Sequence, residues 1–81
     1  MTEDDLTSLS ARIDGIGHTL LHLIAELEIE GVIDGPRFSG ALHRWGLDRQ
    51  RNAPHYWTSG GVVCELADRL DDARSRRSAE R

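Results

Sequence analysis

Lysine is absent from this sequence, and cysteine and the aromatic residues are scarce. All ten basic residues are arginines, and Cys64 is the single cysteine. One cysteine excludes an internal disulfide and is typical of a reducing compartment. No stretch approaches the roughly 20 apolar residues that a membrane-spanning helix needs, and the acidic N-terminus does not resemble a signal peptide. We therefore expect a cytoplasmic protein that does not bind a membrane.

The length and the charge distribution narrow the class further. Eighty-one residues are enough for one domain, but a core of that size supplies only a few kcal/mol of net stability. Residues 1–34 carry a net charge of −7, residues 35–57 carry +3, and residues 58–81 are neutral. The acidic first third opposes binding to nucleic acid, although the middle segment can still present a local basic patch.

A regular row of apolar residues dominates the first third of the chain. Its members recur at alternating spacings of three and four, which is the pattern of a heptad seam on one side of a helix. We call this row the α1 seam, and its residues are Leu6, Leu9, Ile13, Ile16, Leu20, Leu23 and Leu27. A helix with so apolar a side must bury it, so we predict that the seam is the interface of a homodimer.

Local signals predict where the helices begin and end. Thr2 and Asp5 form a capping-box pattern, and Gly31 is typical of a helix end, so the first helix should span about residues 3–30. Asp34 followed by Pro36 predicts a second, short helix over about residues 35–45, with Gly46 as its stop signal.

The rest of the chain contains a stretch without periodicity and then a third apolar row. Residues 47–58 include Pro54 and show no repeat, so we predict a loop there, followed by a helix over about residues 59–75 and a frayed tail over 76–81. The predicted fold is a single all-α domain with a long heptad helix, a short helix and a medium helix. We expect it to form an intertwined or bundled homodimer.

Arginine and aromatic residues cluster in the middle of the chain. These residue types dominate the energetics of protein interfaces because they bury a large area and still offer polar contacts. We predict partner-binding roles for Arg49, Arg51, Tyr56 and Trp57. For Trp45 and Trp57 two interpretations remain open: each ring either contacts a partner or closes one end of the helical core.

No combination of residues predicts catalysis or metal binding. His18 and His22 have the i, i+4 spacing that lets two imidazoles share a metal, but His43, His55 and Cys64 supply no third ligand at a diagnostic spacing. Cys64 has no histidine in a recognisable arrangement with it, so a small buried thiol is the simpler interpretation. We predict no metal, no cofactor and no enzymatic activity.

The run LxxLxxRIDxIxxxLLxLIAEL, from Leu6 to Leu27, resembles the first helix of the all-helical chorismate mutases. The resemblance covers about a quarter of the chain and implies an intertwined helical dimer. In that family, arginines and a lysine on the long helices hold a dianionic substrate. Here Arg12 is the sole basic residue before Arg37, and Leu27 stands where an arginine would be expected. An enzyme of this type is therefore the disfavoured alternative, because desolvating two carboxylates requires such cations.

The function predicted from these observations is a non-enzymatic protein–protein interaction module, an adaptor or inhibitor of a larger protein partner. Such modules are common among accessory, regulatory and mobile-element proteins. A small DNA-binding transcriptional regulator is the other alternative, with Arg37, His43 and Arg44 on the second helix contacting phosphates.

Overall fold

Three helices in up, down, up order make up the protein in a computed structural model that describes residues 1–53, 55 and 57–80. Helix α1 spans Glu3–Ile29, α2 spans Gly35–Asn52 and α3 spans Trp57–Ala79. No strand occurs within these described residues, so the all-α prediction is confirmed. None of the described helices has both the length and the apolar character to cross a membrane.

The ends of α1 have the caps that its sequence predicts. The Thr2 hydroxyl accepts from the Asp5 N–H at 3.1 Å, and the Asp5 carboxylate accepts from the Thr2 N–H at 3.2 Å. At the other end Gly31 has a φ of +75°, and the Val32 N–H donates to the Leu27 carbonyl at 2.9 Å. These contacts are those of a capping box and a Schellman motif, and they satisfy backbone groups at both ends.

Helix α2 begins as predicted and is longer than predicted. The Asp34 carboxylate caps its first turn by accepting from the Arg37 N–H at 3.1 Å. The predicted short helix over 35–45 is wrong, and so is the predicted loop over residues 47–52, because α2 continues without a break through Gly46 to Asn52. Of the rest of that predicted loop, residues 57 and 58 belong to α3, and Pro54 and Tyr56 lie outside the described residues. Ala53 is the C-cap of α2, since a residue before proline is disfavoured in the helical region.

Close packing explains why Gly46 does not end the helix. A Cβ built on Gly46 would lie 2.6 Å from the Gly60 carbonyl oxygen, and one built on Gly60 would lie 2.4 Å from the Gly46 carbonyl oxygen. The two helices therefore meet backbone to backbone, which only glycine permits. Gly46, which the sequence presents as a helix stop, therefore forms the antiparallel contact between α2 and α3 together with Gly60.

Helix α3 also extends beyond its predicted limits of 59–75. It begins at Trp57, and residues 76–79 of the predicted frayed tail are helical. The Arg77 guanidinium donates to the Glu28 carboxylate, which attaches this last turn to α1. Arg81 lies outside the described residues.

Helices α1 and α3 run side by side in the same direction. Glu28 contacts Arg74 and Arg77 near the C-terminal ends, and a Cβ on Gly17 would lie 3.9 Å from the Leu66 Cδ2 atom near the middle. Apart from its last turns, α1 is poorly covered. Within the described residues Ala67 and Leu70 are the buried apolar side chains, and both belong to α3.

Candidate functional site

The α1 seam faces solvent in the single chain. Six of its seven side chains are exposed, from 46% for Leu9 to 62% for Ile16, and Leu27 is half-buried. Their heptad order lines them up along one side of a helix of 27 residues. A contiguous apolar surface of this length is unusual on a monomeric protein.

The dimensions of the chain show how much surface is left uncovered. Its accessible surface is 6314 Å², whereas a monomer of 9.1 kDa exposes about 4,900 Å². Its radius of gyration is 14.7 Å, against about 11.7 Å for a compact domain of 81 residues. Each chain therefore exposes about 1,400 Å² more than a folded monomer of its mass.

Three residues of the α1 seam also line a groove between α1 and α3. Ile13, Ile16 and Leu20 line its α1 wall, and Val62 and Leu66 line its α3 wall. Gly17 forms the floor because it has no side chain to fill the space beside Leu66. Val62 is 46% exposed, so the apolar surface extends from α1 onto α3.

Three of the four predicted partner-binding residues lie where α2 ends and α3 begins. The Arg49 guanidinium carbon is 5.0 Å from the centre of the Trp45 ring, a cation–π distance, and Arg51 is exposed. Trp45 is 48% exposed and Trp57 is 60% exposed, so neither tryptophan closes the core, contrary to one of the two alternatives. Tyr56, the fourth predicted residue, lies outside the described residues.

A polar network that the sequence does not reveal joins the three helices. Glu28 of α1 is half-buried and accepts from Arg74 Nε at 2.5 Å and from Arg77 Nη2. Arg74 also donates to the buried Ser39 hydroxyl of α2 at 3.0 Å and to the Asp71 carboxylate at 2.9 Å. No sequence pattern indicates the contacts that Glu28 and Ser39 make with α3, because their partners lie 35 to 49 residues apart.

His43 and Asp68 form a second link between α2 and α3. The His43 Nε2 atom lies 2.7 Å from the Asp68 Oδ1 atom, and this hydrogen bond raises the pKa of His43 above 6.5 despite partial desolvation. Burial pushes the pKa of Asp71 upward, but hydrogen bonds to Arg74 and Ser39 outweigh it and lower that pKa. The imidazole of His43 therefore faces two carboxylates on α3.

His43, Asp68 and Asp71 each offer one potential metal-ligand atom, and these three atoms lie within 4.8 Å of one another. Arg74 already binds Asp71, and Asp68 already binds His43, so a cation would have to displace both partners beside a guanidinium. We interpret the cluster as a structural contact.

His18 and His22 are exposed on α1, and His18 lies 3.5 Å from Asp14.

A second pocket between α1 and α3 contains cations that α1 lacks. Arg69, Arg76 and Arg77 of α3 line it together with His22 and Asp72, and its described lining includes no residue of the α1 seam. Arg69 binds Glu65 at 3.1 Å, and Arg77 binds Glu28. With Asp72 in the lining and solvent on one side, this pocket does not form the dry cationic enclosure that a dianionic substrate would need.

Cys64 lies against the α2–α3 crossing. Its thiol is half-buried and donates to the His43 carbonyl oxygen at 3.7 Å, and its sulfur lies 2.6 Å from the position of a Cβ on Gly46. No side-chain base is among its contacts within the described residues. Its environment is that of a packing residue.

Comparison with known proteins returned no matching family, no matching curated protein and no matching solved structure.

Proposed function

We propose that this protein is a non-enzymatic, dimeric protein–protein interaction module. The observation that carries the proposal is the exposed α1 seam, which leaves a 27-residue helix with no cover over most of one apolar side. A second copy that covered the excess of about 1,400 Å² on each chain would bury about 2,800 Å² in total. Permanent homodimers bury about 2,000–5,000 Å², so this area fits an obligate pair.

The arginine–tryptophan surface is the proposed site for a larger protein partner. We define this surface as Trp45, Arg49, Arg51 and Trp57. Trp45 lies next to the Arg49 guanidinium and Trp57 is exposed, and tryptophan and arginine are typical of interface hot spots, since each ring offers a large rigid area at little entropic cost. The α1 seam and this surface involve different side chains, so one dimer can hold two copies of the partner.

The test is affinity capture from the source cells with tagged protein, followed by comparison of two alanine variants. Trp57→Ala removes a side chain of the proposed site, and Ile29→Ala removes a similarly exposed apolar side chain at the end of α1. We expect a defined partner to bind the wild type and Ile29→Ala and to be lost by Trp57→Ala. Equal capture by all three would contradict the site, and capture of no protein would contradict the adaptor role.

A further inference from the structure

The exposed surface that a second copy must cover is wider than one helix. The α1 seam accounts for one edge of it, and Val62 and Leu66 of α3 form the opposite wall of the same groove. A simple two-helix pairing of the seams would leave Val62 in water. A helix placed in the groove would cover both walls, because Gly17 keeps its floor open.

The charges at the ends of the groove distinguish the two directions in which that helix can run. The first turn of α1 carries Glu3, Asp4 and Asp5. In a parallel pair the two acidic turns would lie side by side, with like charges in contact. In an antiparallel pair the two acidic turns would lie at opposite ends of the groove, where they do not repel each other.

The register of the seam agrees with the antiparallel direction. Full overlap of the two seams places Leu6 of one copy opposite Leu27 of the other. The acidic first turn then lies beside the last turn of α1 and, because α1 and α3 run in the same direction, beside the last turns of α3.

We propose that the second copy places its α1 antiparallel in the groove between α1 and α3, so that the two acidic first turns lie at opposite ends of the interface. This inference rests on the dimeric state in the proposed function and specifies its geometry. The interface then includes Val62 and Leu66 as well as the α1 seam. By two-fold symmetry, the same contacts form twice.

Two arginine substitutions test whether the groove is covered. Val62→Arg places a charge on the α3 wall, and Val32→Arg is its matched control because Val32 is 68% exposed at the α1–α2 connection. We expect sedimentation equilibrium to show the dissociation constant raised tenfold or more by Val62→Arg and unchanged by Val32→Arg. If Val62→Arg dimerises with the wild-type dissociation constant while Leu20→Arg is monomeric, the groove geometry is wrong. That result would still support a dimer formed through the α1 seam. Circular dichroism verifies that each variant is folded, and Val62→Ala, with a smaller loss, replaces Val62→Arg if that variant does not fold.

Disulfide trapping tests the direction, in a Cys64→Ser background. Leu9→Cys and Leu23→Cys lie near opposite ends of the seam, and both positions are exposed. The antiparallel geometry predicts rapid cross-linking when the two variants are mixed and little cross-linking within either one alone. Efficient cross-linking of Leu9→Cys to itself would show a parallel pair and overturn the proposal.

Discussion

Gly46 and Gly60 are the positions where α2 and α3 approach most closely. Each lacks the side-chain atom that would otherwise collide with the carbonyl oxygen of the other helix, at distances of 2.6 and 2.4 Å. Both residues are buried, in contrast to Gly15, which has no atom within 4 Å of its Cβ position. The same residue type therefore has opposite energetic roles in the two places.

Gly46→Ala should lower the free energy of unfolding by about 1–3 kcal/mol, because backbone atoms must shift to admit the methyl group. Gly15→Ala, the matched control within a helix, should raise it by about 0.5–1 kcal/mol, since alanine loses less backbone entropy on folding. Urea denaturation at one protein concentration measures both. A neutral or stabilising effect of Gly46→Ala would contradict the close crossing of the helices.

The His43–Asp68 contact should make stability depend on pH. The hydrogen bond raises the pKa of His43 in the folded state. The contribution of this contact to the free energy of unfolding is therefore fully present below about pH 6.5 and is lost as the pH rises through the folded-state pKa. Asp68, Asp71 and Arg74 are the charged groups that face this contact from α3. Asp68→Asn should therefore destabilise the protein at about pH 5.5 and have less effect at about pH 8. Thermal unfolding at both pH values tests this, and an equal effect at both would contradict the contact.

At the scale of the helices, Glu28 attaches α1 to the α2–α3 pair. Its carboxylate is 15% exposed and binds two arginines, and one of these also binds Ser39 of α2. Elsewhere in the described part of the chain, α1 and α3 line open pockets together. A single side chain therefore controls much of the position of the long helix.

Glu28→Gln should cost about 1.5–3 kcal/mol of unfolding free energy, since it removes charge-assisted hydrogen bonds to two guanidinium groups. Glu65→Gln is the matched control, because Glu65 binds Arg69 as an exposed i, i+4 pair, and its loss should cost less than about 0.5 kcal/mol. Chemical denaturation compares the two variants. Equal losses would show that the Glu28 network does not hold α1 in place.

The sequence predicts the helices from local signals and misses what depends on contacts between helices. The caps at Thr2, Gly31 and Asp34 were predictable because capping is a contact between residues a few positions apart. Gly46 was misinterpreted as a helix stop because its role depends on Gly60 in another helix. The Glu28–Arg74 pair was missed for the same reason, since no local pattern connects residues 46 positions apart.

At the scale of the whole molecule, the single chain has too small a core for its surface. Among the described residues, Ala67 and Leu70 are the buried apolar side chains, whereas six residues of the α1 seam are exposed. Burial of apolar surface is the dominant favourable term in folding. The proposed dimer supplies the missing burial, and folding and association should then occur together.

Leu20→Arg should therefore separate the copies and unfold much of the protein. Leu20 belongs to both the seam and the groove, and it is 48% exposed in the single chain, so the substitution disturbs little within one copy. We expect a monomer with a reduced helical signal in circular dichroism and a lower melting temperature. Leu47→Arg, at a similarly exposed position on α2, should retain the wild-type mass and helicity.

Sedimentation equilibrium of the wild-type protein at micromolar concentration tests the central claim most directly. The account predicts a particle of twice the 9.1 kDa chain mass, with no monomer detectable until the protein is greatly diluted. A folded, helical particle of 9.1 kDa at that concentration would contradict it, because the α1 seam would then be stable in water without a second copy.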